Sequence, residues 1–223
     1  MYKNTYLLFI LIIIFSILFI ILFYKKQKPL NIAIVGNGPS AVAGYNGKFI
    51  DNCDIVIRFN MFQTESYEDH VGSKTDIWMI NLRNLQDLNQ EFIDKYSNSN
   101  CDILFENNTS MSENTIWDLI NNNLPKKDAK LMKRHFFNSL QLIYNPYGFN
   151  PHPSLGIQGL YKMLSQYPNS NFYLFGFDNF KSDNIHYFYD NKQLSSRAHP
   201  SKIEEKIVNH FKKKFNITHV KGN

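Results

Sequence analysis

The strongest constraint in this chain is an alternation. Short apolar runs, rich in β-branched and aromatic residues and closed by polar turns, are separated by longer amphipathic stretches. "NIAIVG" (31–36), "CDIVIRFN" (53–60), "KTDIWMIN" (74–81), "CDILFEN" (101–107), "QLIYNP" (141–146) and "NFYLFGFD" (171–178) read as strands, and "NITHVKG" as a last one. Runs of this kind suit strands covered on both faces. Between them, "NLQDLNQEFIDKY", "MSENTIWDLINNNL", "AKLMKRHFFNSL" and "KIEEKIVNHFKKKF" read as helices, the last amphipathic with a solvated face. In "HPSLGIQGLYKMLSQYP" (152–168) a turn feeds a helix, with Ile157, Leu160, Tyr161 and Leu164 along one face. Strands alternating with helices predict an α/β fold with a mostly parallel sheet. The chain has 223 residues, 43% of them hydrophobic, enough for one domain with a sizeable core.

Upstream of the alternation, the 19 residues from Tyr6 to Tyr24 carry no charge. At helical rise such a run covers about 28 Å, close to the roughly 30 Å of a bilayer's hydrocarbon. A cleaved signal peptide has a shorter apolar region followed by a small-residue cleavage site; here "YKKQKPL" follows instead. The run predicts a retained transmembrane helix, with residues 1–28 as anchor and basic flank and 29–223 as the folded domain. The formal charge is +5, but residues 1–28 hold four lysines and no acid, leaving 20 basic and 19 acidic residues beyond them. The excess therefore lies beside the expected anchor, where it suits anionic lipid, and lends nothing to a nucleic-acid groove. Lys25, Lys26 and Lys28 after the run, against Lys3 before it, favour a cytoplasmic C-terminal domain. Cys53 and Cys101 have no C-x-x-C spacing, which argues against a zinc site or a redox dithiol.

"GNGPSA" (36–41) fits the dinucleotide pattern G-x-G-x-x-G/A after a strand. Its glycines allow close backbone approach to a ligand, or serve only as a structural strand-to-helix turn. A flavin or nicotinamide domain also carries an acid about 20 positions on, at the end of the second strand, to hold the ribose. That strand ends in Arg58, Phe59 and Asn60, which argues against an oxidoreductase. Asn37 in the turn and Asn60 at the next strand end each offer donors and an acceptor. At carboxyl ends of parallel strands they face the crevice where open α/β sheets take ligands.

At these residues the chain resembles a family. "IAIVGNGPS…IDNCDIVIRFN…VGSKTDIWMIN" is similar to the large sialylmotif of the sialyltransferases of animal Golgi membranes, and "NPHPSLGIQGLYKML…FYLFGFD" to the small one. "HYFYDN" and "HPSKIE" match the third and very small motifs, in the same order along the chain. The "GNGPS" opening also resembles related bacterial enzymes. The resemblance implies a single Rossmann-like domain of the GT-A-variant glycosyltransferase type, behind one transmembrane helix. It implies that Asn37 and Asn60 bind the cytidine monophosphate (CMP) half of the donor. Ser154 and Gly156, at a helix start, would hold its phosphate or ribose, and Gly176 would let the chain pass close to the nucleotide. His199 would be the catalytic base, supported by Glu204, and Tyr187 or neighbouring His186 would contact the departing phosphate.

Those roles agree with the chemistry. A histidine, with an ordinary pKa near 6.5, can take the proton of an attacking hydroxyl. The sugar becomes oxocarbenium-like as the bond to phosphate breaks. A phosphate monoester leaves with less charge than a diphosphate, so helix N–H groups, a tyrosine and a histidine can meet it without a metal. No D-x-D motif is found, and neither a metal nor another cofactor is expected. The expected reaction is a single inverting displacement of sialic acid from its CMP donor onto a glycan hydroxyl, on a single-pass membrane protein (Golgi, if the source is eukaryotic). The alternatives are another CMP-linked acid sugar, another nucleotide sugar, or an anchored binding module without activity. The chain departs from the animal pattern in three places. Ile32 stands where those enzymes have one of their bridged cysteines and no cysteine lies near Pro168, where its partner would fall; P-S-L-G replaces P-S-T-G, and the third motif carries an extra aromatic residue.

Overall fold

The computed structural model of the chain describes residues 13–15, 28–82, 85, 90–97, 100–106, 111–124, 129–132, 134–147, 153–178, 185–193 and 201–220. Its strands are β1 (Asn31–Val35), β2 (Ile55–Phe59), β3 (Ile77–Ile80), β4 (Asp102–Phe105), β5 (Lys130–Leu131), β6 (Asn171–Phe175), β7 (Ile185–Tyr187), β8 (Asp190–Gln193) and β9 (Asn216–His219). Seven of them form one sheet in the order β5-β4-β3-β2-β1-β6-β9, and every neighbouring pair is parallel. β7 and β8 pair antiparallel as a separate hairpin.

Helices cover both faces, as a parallel sheet requires. Successive strand residues point to opposite faces. Ile32, Ile34, Ile57, Phe59, Met79 and Leu104 pack on one side, against α5 (Arg134–Tyr144), α6 (Leu155–Gln166) and α7 (Ser201–Lys212). Ala33, Val35 and Val56 pack on the other side, against α1 (Gly47–Asp51) and α2 (Glu68–Val71). On that same side Trp78, Ile80, Ile103 and Phe105 meet α3 (Gln90–Ser97) and α4 (Glu113–Asn123). α6 puts Ile157, Leu160 and Leu164 into the core, as its periodicity predicts, and lays Tyr161 flat on Phe211 of α7 at 5.8 Å between ring centroids. Each such fully buried aliphatic side chain stabilises the fold by about 1.5–3 kcal/mol.

Two sequence expectations are corrected. "QLIYNP" is not a strand: residues up to Tyr144 complete α5, and Asn145–Tyr147 form a 3-10 turn. Leu140 and Ile143 share the core-facing side of that helix while Leu142 is 70% exposed, a helical and not a strand pattern. The strand beside β4 is instead Lys130–Leu131, inside a stretch that reads as helix, where it pairs with Leu104 and Phe105. Of the expected membrane span, Ile13–Phe15 are helical and exposed, and the remainder lies outside the described residues. Among the described residues no helix is long and apolar enough to cross a membrane.

The chain runs outward from β1 through β2, β3 and β4 to β5, then returns to place β6 on the other side of β1. That reversal is the topological switch, and the crevice it opens lies beyond the carboxyl ends of β1 and β6.

Candidate active site

The turns after β1 and β6 cross in contact at this switch. Gly36 N–H donates to Phe175 O at 2.8 Å, and Gly38 N–H to Gly176 O at 3.1 Å. A side chain at Gly36 would come within 2.8 Å of Gly176 O, and one at Gly176, whose φ is +66°, within 2.5 Å of Gly36 O. These glycines are needed for the chain's approach to itself. Gly38 likewise lies against the Asp178 carboxylate, which accepts from Ser40 N–H at 2.9 Å. The turn then leads into a 3-10 segment, Pro39–Val42, and not the long helix of a dinucleotide fingerprint.

Asn37 ties three pieces together. Its Nδ2 donates to Phe59 O at 3.0 Å and Met61 O at 2.9 Å, and its own carbonyl accepts from Phe188 N–H at 2.9 Å. The β7–β8 hairpin is thus docked on the glycine turn. Tyr189 fixes it further, its hydroxyl donating to Met61 O at 2.6 Å and its ring stacked on Tyr187 at 5.2 Å. Burial, with Asp190 nearby, raises the Tyr187 pKa above its ordinary value, so the hydroxyl keeps its proton. Asn60 sits at φ +50°, with N–H donating to Met79 O and carbonyl accepting from Trp78 Nε1, both at 2.8 Å. Its Oδ1 accepts from Asn81 N–H at 3.0 Å. Among the described residues, Asn37 Oδ1 and Asn60 Nδ2 make no hydrogen bond.

Ser154 caps α6, and its main partner is Glu204 of α7. The Ser154 N–H donates to one carboxylate oxygen and its hydroxyl to the other, each at 2.8 Å. Glu204 is 3% exposed, and this burial pushes its pKa up to about 7 against the opposing pull of the two Ser154 bonds. Gly156 approaches Phe177, where an added side chain would lie 3.2 Å from the ring. Phe177 in turn meets Phe59 at 6.5 Å between ring centroids, which brings the start of α6 beside the end of β2. Leu155 and Gly156 open the helix, so the helix itself does not use their N–H groups.

Much of the large-motif pattern is scaffold. Arg58, 1% exposed, donates from its guanidinium to the carbonyls of Val71, Gly72 and Lys74 and to Thr75 Oγ1, and burial lowers its pKa to about 10. Asp51 accepts from the N–H groups of Ser73 and Lys74, both at 2.9 Å. Cys53 and Cys101 are both free and buried, and burial raises the Cys53 thiol to about 11.

The structure therefore brings Asn37, Asn60, Gly176 and Tyr187 to one crevice, with Gly156 beside it and Ser154 committed to Glu204. His199 lies outside the described residues; His186 is placed in β7 by its backbone, and its side chain lies outside them. Sequence reasoning missed Tyr189, Asn81 and the Glu106–Gln158 pair, in which Gln158 Nε2 donates to Glu106 Oε1 at 2.7 Å under the start of α6. The asparagine closing "WMIN" was the available signal for Asn81, and the extra aromatic of "HYFYDN" the signal for Tyr189; nothing local distinguishes Glu106 and Gln158.

The fold is a doubly wound parallel α/β domain, and its candidate site lies at the β1/β6 switch. Comparison with known proteins makes this specific. The chain belongs to glycosyltransferase family 29 (sialyltransferase), whose model matches residues 24–215. A β-1,6-galactosyltransferase of Arabidopsis thaliana is 42% identical over 57 residues, which are 26% of this chain and 14% of that protein. Among solved structures, a mammalian sialyltransferase superposes with TM-score 0.64 at 19% identity, covering 91% of this chain and 72% of that one. A mammalian sialyltransferase holding Gal-β-1-3GalNAc-ortho-nitrophenol gives 0.60 at 19% identity, covering 87% and 70%. The α-2,3-sialyltransferase of Campylobacter jejuni in apo form gives 0.60 at 21% identity, covering 88% and 77%. At these identities the superpositions establish the fold.

Proposed function

We propose that the chain is a membrane-anchored sialyltransferase that moves sialic acid from CMP-sialic acid to a glycan hydroxyl. The observation that carries this reading is the meeting of three distant segments at one crevice: Asn37 binds the end of β2 and holds the β7–β8 hairpin, while Gly36 crosses Gly176. Family membership supports the same reaction class.

Asn37 Oδ1 and Asn60 Nδ2 are the polar groups left to meet the nucleotide. The N–H groups of Leu155 and Gly156 meet the phosphate at the positive end of α6. Ser154 serves from behind, its hydroxyl engaged by Glu204. The acceptor hydroxyl gives its proton to His199 as it attacks the anomeric carbon, and CMP leaves from the opposite face with inversion. Tyr187 or His186 donates to the departing phosphate. His199 stands two residues before α7, and the Ser154–Glu204 pair fixes the start of that helix against α6. The reaction runs without a metal, and the span Tyr6–Tyr24 anchors the protein as a single pass, in Golgi membranes if the source is eukaryotic. A second reading, transfer from another nucleotide sugar, is favoured by the local identity to the plant galactosyltransferase.

Thermal-shift titration of the full chain with CMP, uridine diphosphate, NAD and FAD separates these readings, because a ligand of the folded state raises its melting temperature. CMP should stabilise, and transfer from CMP-sialic acid should persist in a chelator. His199→Ala should keep the CMP shift and lose about 10²–10⁴-fold in transfer. A shift with uridine diphosphate and none with CMP would move the assignment to the second reading. Undiminished transfer by His199→Ala would remove the base.

A further inference from the structure

Two buried carboxyl groups, Glu106 just past β4 and Glu204 in α7, flank the start of α6; they are 2% and 3% exposed. One acts directly and the other through Gln158, and both act on a single peptide unit, the one joining Pro153 to Ser154. Glu204 takes its N–H end, accepting from Ser154 N at 2.8 Å. Gln158 takes its carbonyl end: Nε2 donates to Pro153 O at 3.0 Å, and the same nitrogen donates to Glu106 Oε1 at 2.7 Å. Two acceptors at that nitrogen fix which end of the amide faces them, because the flipped amide would set oxygen against oxygen.

Gln158 is an unfavourable choice for a core position. It is 1% exposed, and among the described residues its Oε1 makes no hydrogen bond. A leucine or methionine at 158 would continue the apolar face of Ile157 and Leu160 without leaving a buried acceptor unmet. What the amide adds is direction, since it turns the Pro153 carbonyl towards itself and is braced from behind by Glu106.

We propose that Glu106 and Gln158 are positioning residues for the donor phosphate, holding the peptide plane from which α6 starts. This deepens, and rests on, the reading above in which the N–H groups of Leu155 and Gly156 meet that phosphate. The first N–H groups of a helix have no partner within it, so their direction depends on how the preceding residues are held. Here the preceding peptide is gripped at both ends. Gln158 also closes the first turn with its own N–H, which donates to Ser154 O at 3.0 Å. Its backbone and side chain therefore hold consecutive carbonyls, those of Ser154 and Pro153. Donors fixed before the ligand arrives bind a phosphate with less ordering cost, and meet the charge that develops on it as it leaves.

Calorimetric titration of the full chain with CMP and with cytidine isolates this role, because the two ligands differ only by the phosphate. Wild type should bind CMP more tightly than cytidine. Gln158→Met and Glu106→Leu should each weaken CMP about tenfold and cytidine less than about twofold. Glu106→Gln keeps an acceptor for Gln158 Nε2 and should recover most of the CMP affinity that Glu106→Leu loses. Equal weakening of both ligands would show a merely structural pair, and it would overturn the proposal, as would undiminished CMP binding. A readout on wild type covers the case in which the apolar variants do not fold. The Gln158 side-chain amide protons should exchange slowly with solvent, and about tenfold more slowly with CMP bound, with no such change for cytidine. Exchange that CMP leaves unchanged would overturn the role as well. Failure of wild type to bind CMP is a separate outcome, which overturns the nucleotide reading itself and this role with it.

Discussion

The two edges of the sheet use the same residue type for different ends. At the amino edge, Asn31, Asn171 and Asn216 begin the paired strands β1, β6 and β9 and bond side chain to side chain. Asn171 Nδ2 donates to Asn31 Oδ1 at 2.9 Å, and Asn216 Nδ2 to Asn171 Oδ1 at 2.6 Å. Asp54 and Asp76 add to this edge, accepting from Asn31 N–H and Val56 N–H at 2.7 Å each. The result is a register lock in which the side-chain amides bond to one another across the three strands. At the carboxyl edge, Asn37 and Asn60 bond to backbone at and beyond the strand ends with one end of the amide, and among the described residues the other end makes no hydrogen bond. The nucleotide site proposed above draws on that remainder, whereas the amino-edge amides are spent chiefly on one another.

Three substitutions test this contrast, taken in order of expected effect. The largest belongs to Glu204 at the carboxyl edge. Its folded pKa of about 7 lies above its ordinary 4.5, so the folded chain holds this proton more tightly than the unfolded one. The stability it contributes is complete below about pH 4.5 and is lost as pH rises through about 7. Over that window wild type should lose about 3 kcal/mol relative to Glu204→Gln, read as urea midpoints from pH 4 to 8. Parallel pH profiles for the two proteins would show that this carboxyl is not perturbed.

Asn37→Ala removes two donated hydrogen bonds and should cost about 1–2 kcal/mol of stability. It should also abolish the thermal shift with CMP. Loss of stability with an intact CMP response would make Asn37 scaffold, like its counterparts at the amino edge. The smallest effect is expected from Asn171→Ala, which breaks the ladder at its middle member. Because the ladder is solvent-accessible, the cost should be about 0.5–1 kcal/mol, with the CMP response unchanged. A changed CMP response there would erase the distinction between the edges.

Most strands were legible because their apolar runs are covered on both faces and bounded by turns. β1, β2, β3, β4, β6 and β9 fall within their predicted stretches. No strand was predicted over the β7–β8 hairpin, and two further stretches misled for a common reason. "QLIYNP" and "AKLMKRHFFNSL" are short apolar stretches without a decisive period. Continuation of α5 over Leu140 and Ile143, and pairing of Leu131 beside Phe105, decided them against local preference. The site was legible in part. Asn37 and Asn60 stood out because they end a turn and a strand on one side of a parallel sheet. The glycines were visible as a motif, but their main partners proved to be each other.

By itself the sequence determined the α/β class, the mostly parallel sheet, and which strand ends carry polar residues. Those features depend on apolar period and turn chemistry, which act over a few residues. Only the tertiary structure decided that Ser154 faces Glu204, 50 residues away, and that Tyr189 reaches Met61 across 128. It also decided that Gln158 reaches Glu106, 52 residues away. Such partners are chosen by where the sheet reverses and where helices land on it, and no local pattern encodes that placement.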